Sequence, residues 1–373
     1  MDSFTSTTES YERWRERRIQ IVEADLELKR VKLGQSPFLL ARGSYYRYFT
    51  EFPRLLGELA AAPRAVSVGD LHVENFGTWR DRDARLVWGA LDLDEVDLLP
   101  YPLDLVRLAS TAVLAIDAGL LSADPDEACD AIEQGWRERV HERRPKPFVL
   151  GERHPHLYRI VREGLLDPVR FERCILALPP FERALPKPAA RMLAAVTPPG
   201  DFRPQLRRRV VGVGSLGARR IVAFGELDGG LVVREAKQVP GPVSMWAEPK
   251  RTQVSGLCAA VDASRGTSAE LYRRQSRKWI LRPLAPDSTR LELPALKREH
   301  DALTLVRSMG AEAANIHLVS APGSAAAKVI RRDDAARGEG WLRAAAATVV
   351  AASQADHDTW CNFLTDVGHG RSG

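Results

Sequence analysis

Acidic and amide side chains lie at a spacing that suits metal-dependent phosphoryl transfer. Asp70 is followed by His72 and Asn75, and Asp92 comes seventeen residues after Asn75. Such transfer needs a carboxylate that positions the attacking hydroxyl and accepts its proton. It also needs oxygen ligands, such as an amide and a second carboxylate, that hold Mg²⁺ on the nucleotide phosphates. Alone, this spacing is more typical of a turn followed by a helix cap, so the prediction depends on the flanking pattern.

The segment after Asp92 strengthens the prediction of a cation site. Four acidic residues lie within six positions, from Asp92 to Asp97, between apolar ones. Like charges so close repel each other, and a bound cation would relieve the repulsion. Asp94 is therefore a further candidate for binding metal or substrate, and a solvated acidic loop is the alternative. Asp104, at the start of the next apolar segment, is predicted either to cap a helix or to brace the Asp70 loop from behind.

A glycine-rich segment lies about 140 residues further along the chain. Gly212, Gly214, Ser215 and Gly217 precede two predicted strands, at 221–227 and 231–235. Closely spaced glycines between strands allow backbone N–H groups to approach phosphates. A glycine-rich hairpin turn would have the same composition, so the segment alone does not decide between the two.

The first motif resembles one found in known phosphotransferases. Gly69-Asp70-Leu71-His72 with Asn75, followed by Leu91-Asp92, is similar to the aminoglycoside phosphotransferase and choline kinase branch of the protein-kinase-like superfamily. The resemblance implies that Asp70 is the catalytic base and that Asn75 and Asp92 hold the metal. Val68 stands where those proteins usually have histidine. His72 is interpreted as a structural brace of the loop rather than as a ligand.

The same resemblance assigns roles to the later segments. It places Arg234 where such kinases have a phosphate-pairing lysine, while Lys237, three residues on, would point to the opposite face of a regular strand. The helix predicted at 303–320 contains His317 and resembles the helix that precedes the catalytic loop. Because the catalytic and metal loops come before the glycine-rich loop, the implied fold is circularly permuted.

The layout as a whole resembles the bacterial family known as domain of unknown function 2252. That family usually has Lys-Glu-Ala where this chain has Arg234-Glu235-Ala236. The resemblance implies a fold and a nucleotide cleft but no substrate. It rests on Ser36-Pro37-Phe38, Arg42-Gly43, Gly69-Asp70, His72, Asn75-Phe76-Gly77, Asp92, Asp94-Glu95, Gly212-Val213-Gly214-Ser215, Gly217, Arg274-Gln275, Gly310, Ala314, His317, Ala355-Asp356 and Asp358.

The predicted elements form an α+β, two-lobed kinase-like fold in three parts. Residues 1–200 are predicted to be a helical lobe with the catalytic and metal loops. Within it we expect one helix from residue 8 to about 32, strands at 64–69 and 86–91, a helix at 103–121 and mostly helices at 125–200. Residues 205–290 are predicted to be β-rich, with a short helix at 249–263 and a strand at 271–284. Residues 291–373 are predicted to return as helices to the first lobe.

The composition excludes several classes of protein. The net charge is +5 over 373 residues. The sequence contains no basic segment interleaved with aromatic residues, so a nucleic-acid site is not predicted. The four cysteines form no CxxC pair, which predicts neither a zinc site nor a disulfide framework and favours a reducing compartment. Neither a signal-peptide pattern nor a long apolar run is present, so we expect a cytoplasmic protein without a membrane span.

The sequence thus predicts an enzyme that uses Mg²⁺ and ATP, or another nucleoside triphosphate, to phosphorylate an unknown hydroxyl group. The acceptor and the oligomeric state stay open. One alternative is a nucleotide-binding pseudokinase, because Arg234 replaces the lysine and the 249–263 helix has no glutamate to match the usual ion-pair partner. Another is a metallophosphoesterase, in which Asp70 and His72 would be a ligand pair and His369 a late ligand.

Overall fold

The computed structural model describes residues 3–142, 144–151, 153–196, 203–267, 274–276, 278–288, 290, 293, 298–320 and 325–370. For residues 274–275, 320, 325–326 and 367–370 only the backbone is described. Within these ranges, no helix combines the length and the apolar character needed to cross a bilayer. The side chain of His369, the late ligand of the metallophosphoesterase alternative, is among those that the structure does not describe.

Short helices build the N-terminal region. They are α1 (Phe4–Glu16), α2 (Glu23–Leu33), α3 (Pro37–Gly43), α4 (Tyr45–Leu55) and α5 (Gly57–Ala60). The prediction of one helix from residue 8 to about 32 is wrong at residues 17–22. There Ile21 forms a β-bridge with Ala218, and the Val22 N–H donates to the Gly217 carbonyl. The end of the glycine-rich segment therefore holds this part of the chain in an extended conformation.

Two small antiparallel sheets and a buried helix carry the first motif. The elements are β1 (Arg64–Ser67), β2 (Phe76–Arg80), β3 (Leu86–Ala90), β4 (Asp97–Pro100) and α6 (Pro102–Asp117). Strand β1 pairs with β4, and β2 pairs with β3. The two predicted strands and the predicted helix are confirmed, although α6 ends four residues early. As a result, the Asp70 loop follows β1, and the Asp92 loop connects β3 with β4.

The segment predicted to be helical up to residue 200 is mainly helical. It contains α7 (Pro125–His141), β5 (Phe148–Val149), α8 (Pro155–Arg162), α9 (Pro168–Leu176) and α10 (Lys187–Ala194). Each of these helices has proline in its first turn, where the missing N–H has no intrahelical partner to lose. Strand β5 adds to the edge of β3.

A five-stranded antiparallel sheet follows. Its elements, with two short helices between the third and fourth strands, are β6 (Gln205–Arg208), β7 (Arg220–Leu227), β8 (Gly230–Gln238), α11 (Ser244–Ala247), α12 (Leu257–Ser264), β9 (Arg274–Gln275) and β10 (Trp279–Pro283). The strand order is β6-β7-β8-β10-β9. The helix predicted from 249 begins only at Leu257, because Gly256 precedes it in the left-handed conformation, with φ 82°. The glycine-rich segment connects β6 to β7.

Long helices end the described chain and pack against its first part. They are α13 (Glu299–His317), α14 (Ala325–Arg337) and α15 (Trp341–Gly370). Helix α13 approaches α7 so closely that a Cβ on Gly310 would lie 2.0 Å from the Ile132 carbonyl oxygen. Buried apolar side chains from residues 11–161 and 302–350 belong to one hydrophobic cluster, whereas β7, β8 and β10 pack against α9 and α10. The α+β class is confirmed.

Candidate active site

The loop that carries Asp70 is fixed from behind by one carboxylate. Asp104, at the start of α6, accepts hydrogen bonds from the Val68 N–H at 2.7 Å and the Gly69 N–H at 2.8 Å. Gly69 has φ 82°, and a Cβ there would lie 2.7 Å from Tyr45 Oη and 2.8 Å from the Glu95 carbonyl oxygen. A side chain at position 69 would therefore meet both backbone strain and a clash.

A histidine and a tryptophan complete this support. Trp136 Nε1 lies 3.0 Å from His317 Nδ1, and His317 Nε2 lies 3.3 Å from Asp104 Oδ2. Since an indole N–H can only donate, Nδ1 of His317 is the acceptor and Nε2 carries the proton that faces Asp104. The side chains of His317 and Asp104 are both fully buried. Helix α13 is thereby linked to the loop that carries Asp70.

Asp70 is paired with an arginine that the sequence analysis missed. Arg107, one turn after Asp104 in α6, places Nη2 at 2.8 Å and Nε at 3.1 Å from Asp70 Oδ1, and also donates to the Ala41 carbonyl. Burial raises the pKa of Asp70, although the positive charges of Arg107 and Arg42 oppose the shift. The raised pKa makes this carboxylate a better proton acceptor, with Oδ2 outside the arginine pair.

Asn75 locks the Asp70 loop to the Asp92 loop. Its Nδ2 donates to the carbonyl oxygens of Asp70 at 3.1 Å and Asp92 at 3.0 Å. Its Oδ1 accepts from the Asp92 N–H at 2.8 Å. An amide oxygen has two lone pairs, so one remains for a cation.

Asp92 and Asp94 face a lysine from the five-stranded sheet. Lys237 Nζ lies 2.8 Å from Asp92 Oδ2 and also pairs with Asp94. Burial alone would raise the pKa of Asp92, but Lys237 holds it well below its usual value. Burial and the neighbouring Asp92 charge raise the pKa of Asp94. The Lys237 ammonium thus lies between the carboxylates of Asp92 and Asp94, although Lys237 is 145 positions from Asp92 in the sequence.

His72 has the geometry of a loop brace. Its Nδ1 accepts from the Glu74 N–H at 3.1 Å, and its carbonyl oxygen accepts from the Asn75 N–H. Burial, with the charges of Arg42 and Arg107, lowers its pKa well below the usual value, so the ring is neutral. In the parts of the chain that the structure describes, no three His, Cys, Asp or Glu side chains are grouped so that they could hold a metal.

The glycine-rich loop lies over Asp70. Gly212 and Gly217 have φ values of 75° and 88°, where glycine is favoured. A Cβ on Gly214 would be 3.6 Å from the Arg42 carbonyl oxygen and 4.0 Å from Asp70 Oδ2. The segment is therefore close enough to Asp70 to cover a group bound there.

Cations from the N-terminal helices hold this loop from the other side. Lys29 Nζ, from α2, donates to the Gly214 carbonyl at 3.2 Å, and Arg15 Nη2, from α1, donates to the Leu216 carbonyl at 2.9 Å. Both side chains are almost completely buried, with exposures of 2% for Lys29 and 3% for Arg15. Neither residue was predicted from the sequence to belong to the site.

The structure places Arg234 and Lys237 on opposite faces of β8, as strand alternation requires. Lys237 lines the cavity beside Asp70, whereas Arg234 is not among its lining residues and donates to the Val233 carbonyl at 3.0 Å. Burial lowers the pKa of Arg234. Of the two, Lys237 is therefore the one that faces the cleft.

One cavity of about 100 Å³ brings the separate segments together. Residues from the Asp70, Asp92 and glycine-rich loops line it, and so do residues from α1, α2 and α4. The predicted residues at its wall are Asp70, His72, Asn75, Asp92, Asp94, Gly212, Gly214 and Ser215. Gly217, Arg234, Asp104 and His317 lie outside the wall, and the last two support it. A second cavity of about 380 Å³ shares Arg42, Gly212 and Arg290 with the first.

The missed cations follow one recognisable pattern. Lys29 stands three residues after Leu26 and four before Leu33, so it occupies the apolar face of α2. Arg107 lies among buried residues throughout α6. A charged residue at a position that helical spacing assigns to the core indicates a buried polar or ionic partner.

The comparisons with known proteins cover part of this site. No curated protein and no solved structure matches the chain. A family described as an uncharacterized protein conserved in bacteria (DUF2252) has a model that matches residues 18–154. The match includes Asp70, Asn75, Asp92 and Asp104 but ends before the glycine-rich loop. In that stretch, the chain is similar to the DUF2252 family.

Proposed function

We propose that this protein is a kinase-like phosphotransferase with a circularly permuted chain order. It transfers the terminal phosphoryl group of a Mg²⁺-bound nucleoside triphosphate to a hydroxyl group. The observation that carries the proposal is the contact of Lys237 with Asp92 and Asp94, beneath the glycine-rich loop and next to Asp70. A base, two acidic ligands, a lysine and a glycine loop are the parts that such transfer uses.

Asp70 would act as the general base. The acceptor oxygen attacks the terminal phosphorus, its proton passes to Asp70, and the bond between that phosphorus and the bridging oxygen breaks as the nucleoside diphosphate leaves. Arg107 fixes the carboxylate through Oδ1 and leaves Oδ2 for the hydroxyl. Positioning and electrostatics supply most of the catalysis in this chemistry.

The donor set fits Mg²⁺. Asp92 and Asp94 offer carboxylate oxygens, and Asn75 retains a lone pair on Oδ1, which are hard ligands of the kind this ion takes together with waters and phosphates. The ammonium of Lys237 now balances the two carboxylates, so the position already accommodates positive charge. When bound, Mg²⁺ would neutralise charge that develops on the phosphates.

The room for a nucleotide is divided between the two cavities. The one beside Asp70 is smaller than a typical ligand pocket, which has about 300–1,000 Å³. The adjoining cavity is larger, and its apolar side chains are Leu28, Val210, Val211, Val213 and Leu216. We therefore assign the phosphates to the first cavity and the nucleoside to the second. The choice between ATP and GTP is left to experiment.

The position of α13 supports the permuted order. In the kinase-like scheme, the helix with His317 would precede the catalytic loop, yet here it follows that loop by more than 200 residues. Through His317 and Asp104 it nevertheless lies directly behind the Asp70 loop. This is the arrangement expected if the chain had been opened between that helix and the loop.

A second candidate is nucleotide binding without transfer. It is favoured by the pairing of Asp70 Oδ1 with Arg107, because the arginine charge opposes the rise in the pKa of Asp70 that burial produces. In that case the cleft would change its shape with the nucleotide but leave the terminal phosphate in place.

Mass spectrometry after incubation with Mg-ATP or Mg-GTP, alone and with cell extract, tests the proposal. It would detect phosphate transfer to an acceptor, self-modification and AMP transfer. Asp70→Asn should reduce transfer by at least about 100-fold while Mg-nucleotide still raises the melting temperature. Asp83→Asn, at an exposed carboxylate, is the matched control.

The outcomes separate the candidates. Nucleotide-dependent stabilisation without any transfer would favour the non-catalytic alternative. If neither ATP nor GTP with Mg²⁺ stabilises the wild-type protein, both kinase-like functions are excluded.

A further inference from the structure

The cavity beside Asp70 has a second group of polar residues that the proposed transfer does not use. We call it the helical end: Tyr11 and Arg15 from α1, Lys29 from α2, and Tyr45 and Tyr46 from α4. The rings of Tyr11 and Tyr46 stack at 4.5 Å, and Lys29 Nζ lies 5.5 Å from the centre of the Tyr46 ring. Two buried cations therefore lie within an aromatic wall.

Three side-chain atoms in this part of the wall make no hydrogen bond within the described part of the chain. Arg15 Nη1, Tyr45 Oη and, at the end of β8, Gln238 Oε1 are buried, and none makes a hydrogen bond with the residues that the structure describes. Their residues are 3%, 5% and 8% exposed, and all three line the cavity. A buried polar atom without a partner costs about 1–3 kcal/mol, so such a cluster is unusual unless a ligand completes it.

We propose that the helical end binds the phosphate group of a phosphorylated acceptor. That the bound molecule is an acceptor rests on the proposed function, whereas phosphate binding itself does not. Arg15, Lys29 and Tyr45 offer donors from three different groups, which suits the several oxygens of a phosphate better than the two of a carboxylate. Gln238 Oε1 can accept from a hydroxyl or amino group of the same molecule.

The charges around Asp70 separate this subsite from the nucleotide site. Neighbouring charges act on Lys29 from Arg15, Glu12 and Asp70, whereas those on Asp92 come from Lys237 and Arg220. Asp70 interacts with both groups.

In-line transfer places the acceptor and the leaving group on opposite sides of the moving phosphoryl group. With the nucleotide phosphates at Asp92 and Lys237, the acceptor hydroxyl reaches Asp70 from the side of the helical end. An acceptor bound there would place its own phosphate among the unused donors.

Lys29 adds a reason why an anion would be favoured. Burial, with the charge of Arg15, lowers its pKa to about 7. An anion next to the ammonium would offset both effects and stabilise the protonated form.

Titration calorimetry with inorganic phosphate, on the full chain without nucleotide and with Mg-ADP, tests the proposal. Phosphate should bind the wild type in both conditions and more tightly than acetate. Lys29→Met and Tyr45→Phe should each weaken phosphate binding at least about tenfold. Tyr45→Phe removes only an unpartnered hydroxyl, so it also controls for effects of Lys29→Met on folding.

Two further variants locate the anion. Lys250→Met, at an exposed lysine, should leave phosphate affinity within about twofold of the wild type. Arg290→Gln, on the side of the nucleotide site, should weaken phosphate binding less than Lys29→Met does. The proposal is overturned if phosphate does not bind, if acetate binds equally well, or if Arg290→Gln abolishes binding while Lys29→Met and Tyr45→Phe do not. Phosphate binding at the helical end in a protein that ignores nucleotide would refute the proposed function and leave this subsite standing.

Discussion

The hydrogen bonding of buried polar atoms differs between the back of the Asp70 loop and the helical end of the cavity. Behind the loop, Asp104 and His317 are joined to each other and to two backbone N–H groups and an indole N–H. At the helical end, Arg15 and Tyr45 each keep a buried atom that makes no hydrogen bond within the described part of the chain, and so does the neighbouring Gln238 of β8. A network that is complete within the protein serves the fold, whereas an incomplete one is the place to look for a ligand.

Removing the central carboxylate of the complete network should have the largest effect. Asp104→Ala leaves the Val68 and Gly69 N–H groups and His317 without their acceptor in a fully buried position. We expect the free energy of unfolding to fall by about 3 kcal/mol. Urea unfolding would measure it. The exposed Asp83→Ala should change stability by no more than about 0.5 kcal/mol. An equally small effect of Asp104→Ala would show that the network behind the Asp70 loop does not stabilise the fold.

At the helical end, removing a charge should stabilise the protein. The lowered pKa of Lys29, about 7, means that the unfolded chain binds more protons than the folded one between pH 7 and about 10.4. Wild-type stability therefore gains from rising pH in that window, and Lys29→Met lacks this gain.

The stability advantage of the variant over the wild type should fall by about 4 kcal/mol between pH 6.5 and pH 10.5. Thermal unfolding across this range would measure the difference. Lys250→Met, at an exposed position, should give the same pH profile as the wild type. An advantage that is constant with pH would mean that Lys29 is not desolvated as the structure indicates.

The contact of Lys237 with Asp92 and Asp94 across the cleft should have an effect on stability between those of the two regions. Lys237→Met leaves Asp92 and Asp94 facing each other, and because the Asp92 side chain is 36% exposed we expect a loss of only about 1 kcal/mol. Mg²⁺ should raise the melting temperature of this variant more than that of the wild type, since the ion can replace the ammonium. Arg234→Lys is the matched control and should show neither change.

Local patterns in the sequence predict much of this architecture. The strand before Asp70, the buried helix after Asp104 and the strands after the glycine-rich loop were predicted, because two- and four-residue periodicities record which face of an element is buried. Alternation along β8 also predicted that Arg234 and Lys237 point in opposite directions. It could not predict which face meets the Asp92 loop, because that depends on how the sheet packs.

The remaining parts of the site depend on contacts between distant segments. Arg107 meets Asp70 across 37 residues, Lys29 meets Gly214 across 185, and His317 meets Asp104 across 213. The break between α1 and α2 has the same origin, because Ile21 is held by Ala218. No periodicity within either segment records such a partner. The useful signal is a charged residue on a face that should be apolar, as with Lys29 and Arg107.

The smallest effect gives the most direct comparison, because two tyrosines of α4 belong to the two regions. Tyr48 Oη donates to the Leu103 carbonyl at 2.7 Å, whereas Tyr45 Oη makes no hydrogen bond with the residues that the structure describes. Both rings lie near the Arg107 guanidinium. Tyr48→Phe should cost about 1 kcal/mol, because it removes a buried hydrogen bond to the Leu103 carbonyl, and Tyr45→Phe should change stability by less than about 0.5 kcal/mol. Phosphate should then reverse the order of sensitivity: it should stabilise Tyr48→Phe as much as the wild type and Tyr45→Phe less. An equal loss of stability for the two variants in thermal unfolding would show that Tyr45 Oη has a partner within the fold and is not available to bind a ligand.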